Sequence, residues 1–155
     1  MEKARDSFIE LLISYKKLKA HDITVVFDGH KSGAGTEHVS VSGGVKIIYS
    51  RLGERADDVI KRIVSTDKKE WIVVSNDRDI VNHAWSMNSI PVSSERFFEI
   101  VSKRSGQAVS GTREYSDADL SYKDAEYDDY PDVQKGNPYR LSKKEKAVRR
   151  ALGKL

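Results

Sequence analysis

Three short apolar runs, rich in β-branched residues, constrain the fold of this chain more than any other feature. They cover residues 23–27, 45–49 and 71–74. Such runs are typical of strands that are covered on both faces, as in a parallel sheet. Helical periodicity over residues 3–19, and again in the segments that separate and follow the runs, predicts helices around that sheet. We therefore expect an α/β fold with a parallel sheet.

The large apolar residues stop near the middle of the chain. No Ile, Phe, Trp or Met follows Ile100, so we expect the buried core to end near Val101. This divides the chain into a folded domain at residues 1–104, an acidic, tyrosine-containing segment of low order at 105–141, and a basic helix at 142–155. A capping box formed by Ser142 and Glu145 predicts where that helix begins.

The formal net charge of +3 hides a strong separation of charge along the chain. Residues 114–132 hold eight acidic residues and one basic residue, whereas residues 135–155 hold eight basic residues and one acidic residue. The small net charge is therefore the sum of an acidic segment and a basic segment.

Composition also excludes several classes of protein and site. The sequence has no cysteine, which excludes disulfides and thiolate metal sites. No apolar run approaches the roughly 20 residues of a membrane span, and the charged N-terminus is unlike a signal peptide, so we expect a cytoplasmic protein without a membrane partner. The glycine-containing loop at residues 29–35 lacks the Gly-Lys-Ser/Thr ending of a P-loop, so we expect no nucleotide cofactor.

Acidic residues follow each of the three predicted strands. They are Asp28 after the first, Glu54 and Asp57 after the second, and Asp77 and Asp79 after the third. Because the carboxyl ends of parallel strands share one edge of a sheet, we expect these carboxylates to meet there, where they would repel each other without a cation. Oxygen ligands favour Mg²⁺ or Mn²⁺.

Each acid also has a structural interpretation. Asp57 and Asp58 lie in the first turn of a predicted helix, where acids interact favourably with the helix dipole, and Asp77 has the position of a helix N-cap. We prefer Asp57 to Asp58 as a ligand because Glu54 and Asp57, three residues apart, share a helix face. The joint placement of the acids at one edge favours the cation site.

At these residues the sequence resembles the NYN family of PIN-like metal-dependent ribonucleases, in particular its YacP-like branch. The resemblance covers roughly residues 3–104, and its motifs are VVFDGH at 25–30, GGVKIIYS at 43–50, ERADD at 54–58 and VVSND at 73–77. It implies a three-layer PIN-like fold and a divalent-metal-dependent endoribonuclease. The implied catalytic residues and metal ligands are Asp28, Asp57 and Asp77, assisted by Asp79 or Glu54.

For the YacP-like branch the resemblance further implies RNA decay associated with ribosomes. Basic residues near the acids and on the C-terminal helix are candidates for contacts with RNA phosphates, although simple solvation is the alternative for each. His30 could instead cap its loop. The candidates are His30, Arg55, Arg78, Lys143, Lys144, Arg149 and Arg150.

One departure from the family pattern leaves other functions open. Family members open with a strand that ends in Asp-Gly-Tyr-Asn, whose Asp is a metal ligand, and this sequence begins after that point, which predicts a truncated start or a gapped sheet. The main alternative is a noncatalytic RNA- or ribosome-binding module. A phosphatase with Asp28 as nucleophile is a further alternative, disfavoured because His30 stands where a second acid is expected.

Overall fold

The computed structural model describes residues 2–29, 35–67, 69–106 and 141–155. Over these residues it confirms a mixed α/β fold, with five helices and two small sheets. The helices are α1 (Glu2–Leu18), α2 (Ala56–Thr66), α3 (Arg78–Ser86), α4 (Ser94–Arg104) and α5 (Lys143–Lys154). The strands are β1 (Ile23–Phe27), β2 (His38–Ser42), β3 (Val45–Tyr49), β4 (Ile72–Val74) and β5 (Ile90–Val92).

The strands form two sheets, whereas the sequence predicted one parallel sheet. In the first sheet β3 is central, parallel to β1 and antiparallel to β2. In the second sheet β4 pairs in parallel with β5. Within the described ranges no strand joins β1 to β4. Strand β2, an exposed edge strand, was not predicted from the sequence, and its position follows from its pairing with β3.

Side-chain caps define where three of the helices begin. The Asp77 carboxylate accepts hydrogen bonds at the start of α3, and the Ser93 hydroxyl does so at the start of α4. The predicted capping box of Ser142 and Glu145 is present at the start of α5. Each such cap contributes about 1 kcal/mol. In the part of the chain that the structure describes, no helix has the length and apolar character needed to cross a membrane.

The core consists of three clusters of apolar side chains. The first lies between α1 and the first sheet, the second between α2, β4 and α3, and the third between α1 and α4. The best-buried members are Leu12, Val45 and Ile47 in the first, Val73, Ile80 and Ala84 in the second, and Leu11, Tyr15 and Val101 in the third.

The core does not end near Val101, contrary to the sequence-based expectation. Helix α5 packs against β5, and Ala151 and Leu155 are buried. The Tyr15 hydroxyl, itself buried, donates a 2.6 Å hydrogen bond to the backbone oxygen of Leu155. Because Ala151 is small, it permits close packing without the large apolar residues on which the prediction relied.

A close junction joins the carboxyl ends of β1 and β3. The Ser50 amide donates to the carbonyl of Phe27 at 3.0 Å, and the Gly29 amide donates to the Ser50 hydroxyl at 3.0 Å. A Cβ atom at Gly29 would lie 1.7 Å from the Ser50 carbonyl oxygen. The approach therefore requires glycine, and it fixes the backbone beside Asp28.

Replacing Tyr15→Phe should lower the free energy of unfolding by about 1–3 kcal/mol, because a buried backbone oxygen loses its donor. Burial also raises the pKa of Tyr15 above 10.0, opposed by the charge of Arg104. A folded-state pKa above that of the unfolded chain means that this contribution is complete below about pH 10 and is lost as the pH rises further.

Urea denaturation between neutral and alkaline pH measures both effects. Tyr49→Phe is the control, because the Tyr49 hydroxyl makes no hydrogen bond with the described residues. Equal stabilities for Tyr15→Phe and the wild type, or an unchanged alkaline slope, would contradict the prediction.

Replacing Gly29→Ala should destabilise the protein by about 3 kcal/mol or more, since the added methyl group would overlap backbone atoms that cannot rotate away. Gly35→Ala is the matched control, because a Cβ atom there has no neighbour within 4 Å. Thermal unfolding of the two variants provides the comparison. A Gly29→Ala variant as stable as Gly35→Ala would show that the junction is not needed.

Candidate active site

Asp28 links the end of β1 to the beginning of α2. Its Oδ1 accepts a 2.7 Å hydrogen bond from the amide of Ala56, the first residue of the helix. Arg55, at the N-cap position, makes no side-chain cap of its own, so Asp28 satisfies an amide that the helix cannot. Asp57, the next residue of α2, forms an ion pair with Arg55. Asp28 and Asp57 are thus gathered at one helix end.

Glu54 is the most enclosed of the predicted metal ligands, with its side chain 11% exposed. Arg62 donates to its Oε1 and also pairs with Glu37. The other oxygen, Oε2, is buried without a hydrogen bond and lies 3.4 Å from Nε of Arg51. The nearby guanidinium groups offset the negative charge that burial would otherwise disfavour.

Asp77 lies in the turn between β4 and α3 and caps that helix. Its Oδ1 accepts hydrogen bonds from the amides of Asp79 at 2.8 Å and Ile80 at 3.3 Å. Its own amide donates to the Ser75 hydroxyl at 3.1 Å. The structural interpretation of Asp77 as an N-cap is therefore confirmed.

Asn76 ties the same turn to the start of α4. Its Nδ2 donates to Glu95 at 2.7 Å, and its Oδ1 accepts from the amide of Ser94 at 2.9 Å. Hydrogen bonds from the backbone amide of Glu95 itself and then from Asn76 lower the pKa of the Glu95 carboxyl. Asn76 thus fixes the backbone of the turn that carries Asp77.

Asp79 forms an ion pair with Lys61 of α2. The hydrogen bond between the two side chains lowers the pKa of Asp79 and raises the pKa of Lys61. His83 adds a second link between the same helices, since its Nε2 lies 2.8 Å from the Ser65 hydroxyl and 3.2 Å from the Lys61 carbonyl oxygen. Helices α2 and α3 are therefore joined by polar contacts beside the candidate site.

The described residues contain no group of three or more His, Asp or Glu side chains placed to hold one metal ion. Of the acids expected to meet from three strand ends, Asp28 and Asp57 lie at the start of α2, and the charges of Asp57 and Asp79 both act on Lys61. The donor chemistry of these acids suits Mg²⁺ or Mn²⁺. Their assignment as ligands stays a prediction, because each acid has its own amide or cation partner instead: Asp28, Asp57, Asp77, Asp79 and Glu54.

The basic residues predicted near the acids have different surroundings. Arg55 is paired with Asp57. Arg78 is exposed and has no ion pair with any described residue. His30 lies outside the described residues, as does nearly all of the acidic segment assigned to 105–141.

On α5 the predicted basic residues stay exposed although the helix is packed on the body. Lys143 and Arg149 make no ion pair with the described part of the chain. Nζ of Lys144 lies 5.5 Å from the ring centre of Trp85. Arg150 is paired with Glu70 at 3.1 Å. Among the described residues, two of the four candidates therefore have no anionic partner.

Lys61 and Arg62, which form ion pairs with Asp79 and Glu54, were not predicted from the sequence as site residues. Lys61 stands four residues after Asp57, the spacing of an ion pair within a helix. That spacing was a signal for pairing within α2, but the observed partner lies on α3, so the fold decides the pair.

A comparison with protein-family models matches residues 1–131 to the YacP-like NYN domain. Comparisons with curated proteins and with solved structures gave no significant match. The family match covers most of the chain and includes every motif at which the sequence resembled this family. The chain therefore belongs to the YacP-like NYN domain family, which indicates a nuclease-like function related to RNA.

Proposed function

We propose that the protein is an endoribonuclease that hydrolyses RNA phosphodiester bonds with Mg²⁺ or Mn²⁺. Besides the family, the observation that carries the proposal is the place of Asp28, where the end of β1 meets the start of α2 beside Asp57. The Ala56 amide engages Oδ1 of Asp28, and no described residue donates a hydrogen bond to Oδ2. An exposed carboxylate at a helix N-terminus, with one oxygen that no described residue engages, suits the cation-assisted hydrolysis of a phosphodiester.

The proposed ligands are Asp28, Asp57 and Asp77, with Asp79 or Glu54 assisting. When bound, a divalent cation would lower the pKa of a water molecule and offset charge on the scissile phosphate. The ion pairs of these acids with Lys61, Arg55 and Arg62 would then have to be exchanged or shared.

RNA would be held by cations whose contacts do not depend on base sequence. Arg78 stands exposed at the start of α3, and helix N-termini attract phosphate oxygens. Arg55 and His30 would act near the acids, and the exposed side of α5, with Lys143, Lys144, Arg149 and Arg150, would add longer-range attraction. We extend the proposal to RNA decay on ribosomes in the cytoplasm.

A noncatalytic RNA- or ribosome-binding module is the second candidate. It is favoured by the observation that the acids serve as helix caps or ion-pair partners and form no metal-holding group among the described residues. Such a module would retain RNA binding without cleavage.

Replacing Asp28→Asn, Asp57→Asn or Asp77→Asn should each reduce metal-dependent cleavage by at least about 100-fold. A side-chain amide keeps an acceptor oxygen, so the substitutions at Asp28 and Asp77 are not expected to release the helix N-termini that these carboxylates cap. The charge is lost while the fold is kept. Cleavage of a labelled single-stranded RNA with Mg²⁺ and with Mn²⁺ measures the effect.

Glu10→Gln is the matched control, because Glu10 is an exposed acid of α1 with no partner among the described residues. Full activity in the three Asp variants would refute their assignment. RNA binding by the wild type without cleavage in either metal would favour the noncatalytic candidate.

Replacing Lys143→Gln together with Arg149→Gln should weaken RNA binding and make the plot of log affinity against log salt shallower by about 1.4, or about 0.7 for each lost phosphate contact. Substitution is preferable to deletion, because Ala151 of α5 and Leu155, which follows the helix, are buried in the core. Filter binding at several salt concentrations provides the slope.

The matched control removes two exposed cations elsewhere, Lys17→Gln and Lys46→Gln, neither of which has an ion pair with the described residues. An equal change of slope in both double variants would show that only net charge matters, and would contradict a specific role of α5.

A further inference from the structure

A cluster of aromatic rings lies where β1 and β3 end and β2 begins. Phe27 and Tyr49, paired in the parallel register, are stacked with ring centres 5.7 Å apart at 27°. His38, opposite Tyr49 in the antiparallel register, lies 6.1 Å from that ring at 32°. Phe27 immediately precedes Asp28, so the cluster adjoins the candidate active site.

Arg5 of α1 covers this cluster. Its Cζ lies 5.9 Å from the ring centre of Phe27 and 5.4 Å from that of Tyr49, a cation–π arrangement. Arg5 precedes Ile9 by one helical turn and therefore occupies the stripe of α1 that faces the sheet. Arg5 therefore occupies a position at which the apolar periodicity of α1 predicts an apolar residue.

The hydrogen-bonding capacity of Arg5 is not used within the described residues. Its Nε is buried without a partner, and no described carboxylate forms an ion pair with the guanidinium. A guanidinium that is partly withdrawn from water without an acceptor is destabilising, because its N–H groups lose hydrogen bonds to water. The aromatic rings do not supply that acceptor. The Arg5 guanidinium can therefore donate hydrogen bonds to an anion or a carbonyl oxygen of a bound molecule.

The cluster is open to solvent on one side. His38 is exposed, and Arg5 and Tyr49 are only half-buried. The Tyr49 hydroxyl makes no hydrogen bond with the described residues. Flat π surfaces, together with a guanidinium and a hydroxyl that have no hydrogen-bond partner among the described residues, are groups that recognise an unpaired nucleotide.

We propose that Arg5, His38 and Tyr49, supported by Phe27, form a subsite for one unpaired nucleotide of single-stranded RNA. The base stacks on the His38 imidazole or on the guanidinium plane, and Arg5 donates hydrogen bonds to the adjoining phosphate. Duplex RNA is rejected because its bases are paired and stacked. The inference rests on the proposed ribonuclease function and states which form of RNA that site accepts.

The test uses the full chain and a single-stranded RNA of about ten nucleotides that carries 2-aminopurine. The measurement is made in EDTA, so that binding is observed without cleavage. Stacking should quench the fluorescence of the base. His38→Ala should weaken binding roughly fivefold or more and reduce the quenching, since one stacking contact contributes that much.

Arg5→Gln should weaken binding and make the salt plot shallower by about 0.7, the value for one phosphate contact on a single strand. Arg5→Lys should retain that slope but lose part of the affinity, because the ammonium group cannot stack. Lys17→Gln, about 18 Å further along α1, is the matched control and should leave affinity unchanged.

The two proposals can fail separately. Quenching that is equal in the wild type, His38→Ala and Arg5→Gln, each shown to be folded by circular dichroism, would overturn the subsite. Equal affinity for a duplex of the same sequence would also overturn it. Absence of cleavage when metal is restored would refute the ribonuclease proposal and leave the binding result standing.

Discussion

The hydrogen bond between the Asp28 carboxylate and the Ala56 amide organises the candidate site. It connects the end of a strand to the start of a helix 28 residues later in the chain. Without it the first turn of α2 would lack a side-chain cap, a loss of about 1 kcal/mol. The bond also restricts how Asp28 could bind a cation, because one of its two carboxylate oxygens already accepts a backbone hydrogen bond. In the proposed site, structural and chemical roles would be divided between the two oxygens of the Asp28 carboxylate.

The charges around this bond are balanced locally. Asp57, Glu54 and Asp79 are each opposed by an arginine or lysine from α2 or the turn before it. Exposed pairs of this kind contribute little to stability, so their exchange for a cation or a phosphate would cost little. Glu54 differs, because its burial makes its compensation by Arg62 harder to replace. The more exposed acids are thus the better candidates for ligands that come and go.

The sequence predicted the individual helices and strands better than the way in which they pair and pack. Runs of β-branched residues located β1 and β3, because such runs are typical of strands that are covered on both faces. Strand β2 was missed because its small polar residues and exposed valines carry no burial signal, and its conformation follows from pairing with β3. The cap of α3 by Asp77 was visible because it is local. The cap of α2 by Asp28 and the pair of Lys61 with Asp79 depend on topology, which spacing along the chain does not reveal.

Exposed and half-buried basic side chains would contribute differently to RNA binding. Lys143 and Arg149 on α5 are exposed, and salt screens their attraction within about 10 Å at 0.1 M ionic strength. Arg5 is half-buried over the rings of Phe27 and Tyr49, where screening by salt is weaker than at an exposed site. The exposed helix would therefore set how strongly RNA is attracted, while Arg5 would set where a nucleotide rests. Raising the salt concentration would remove the first contribution before the second.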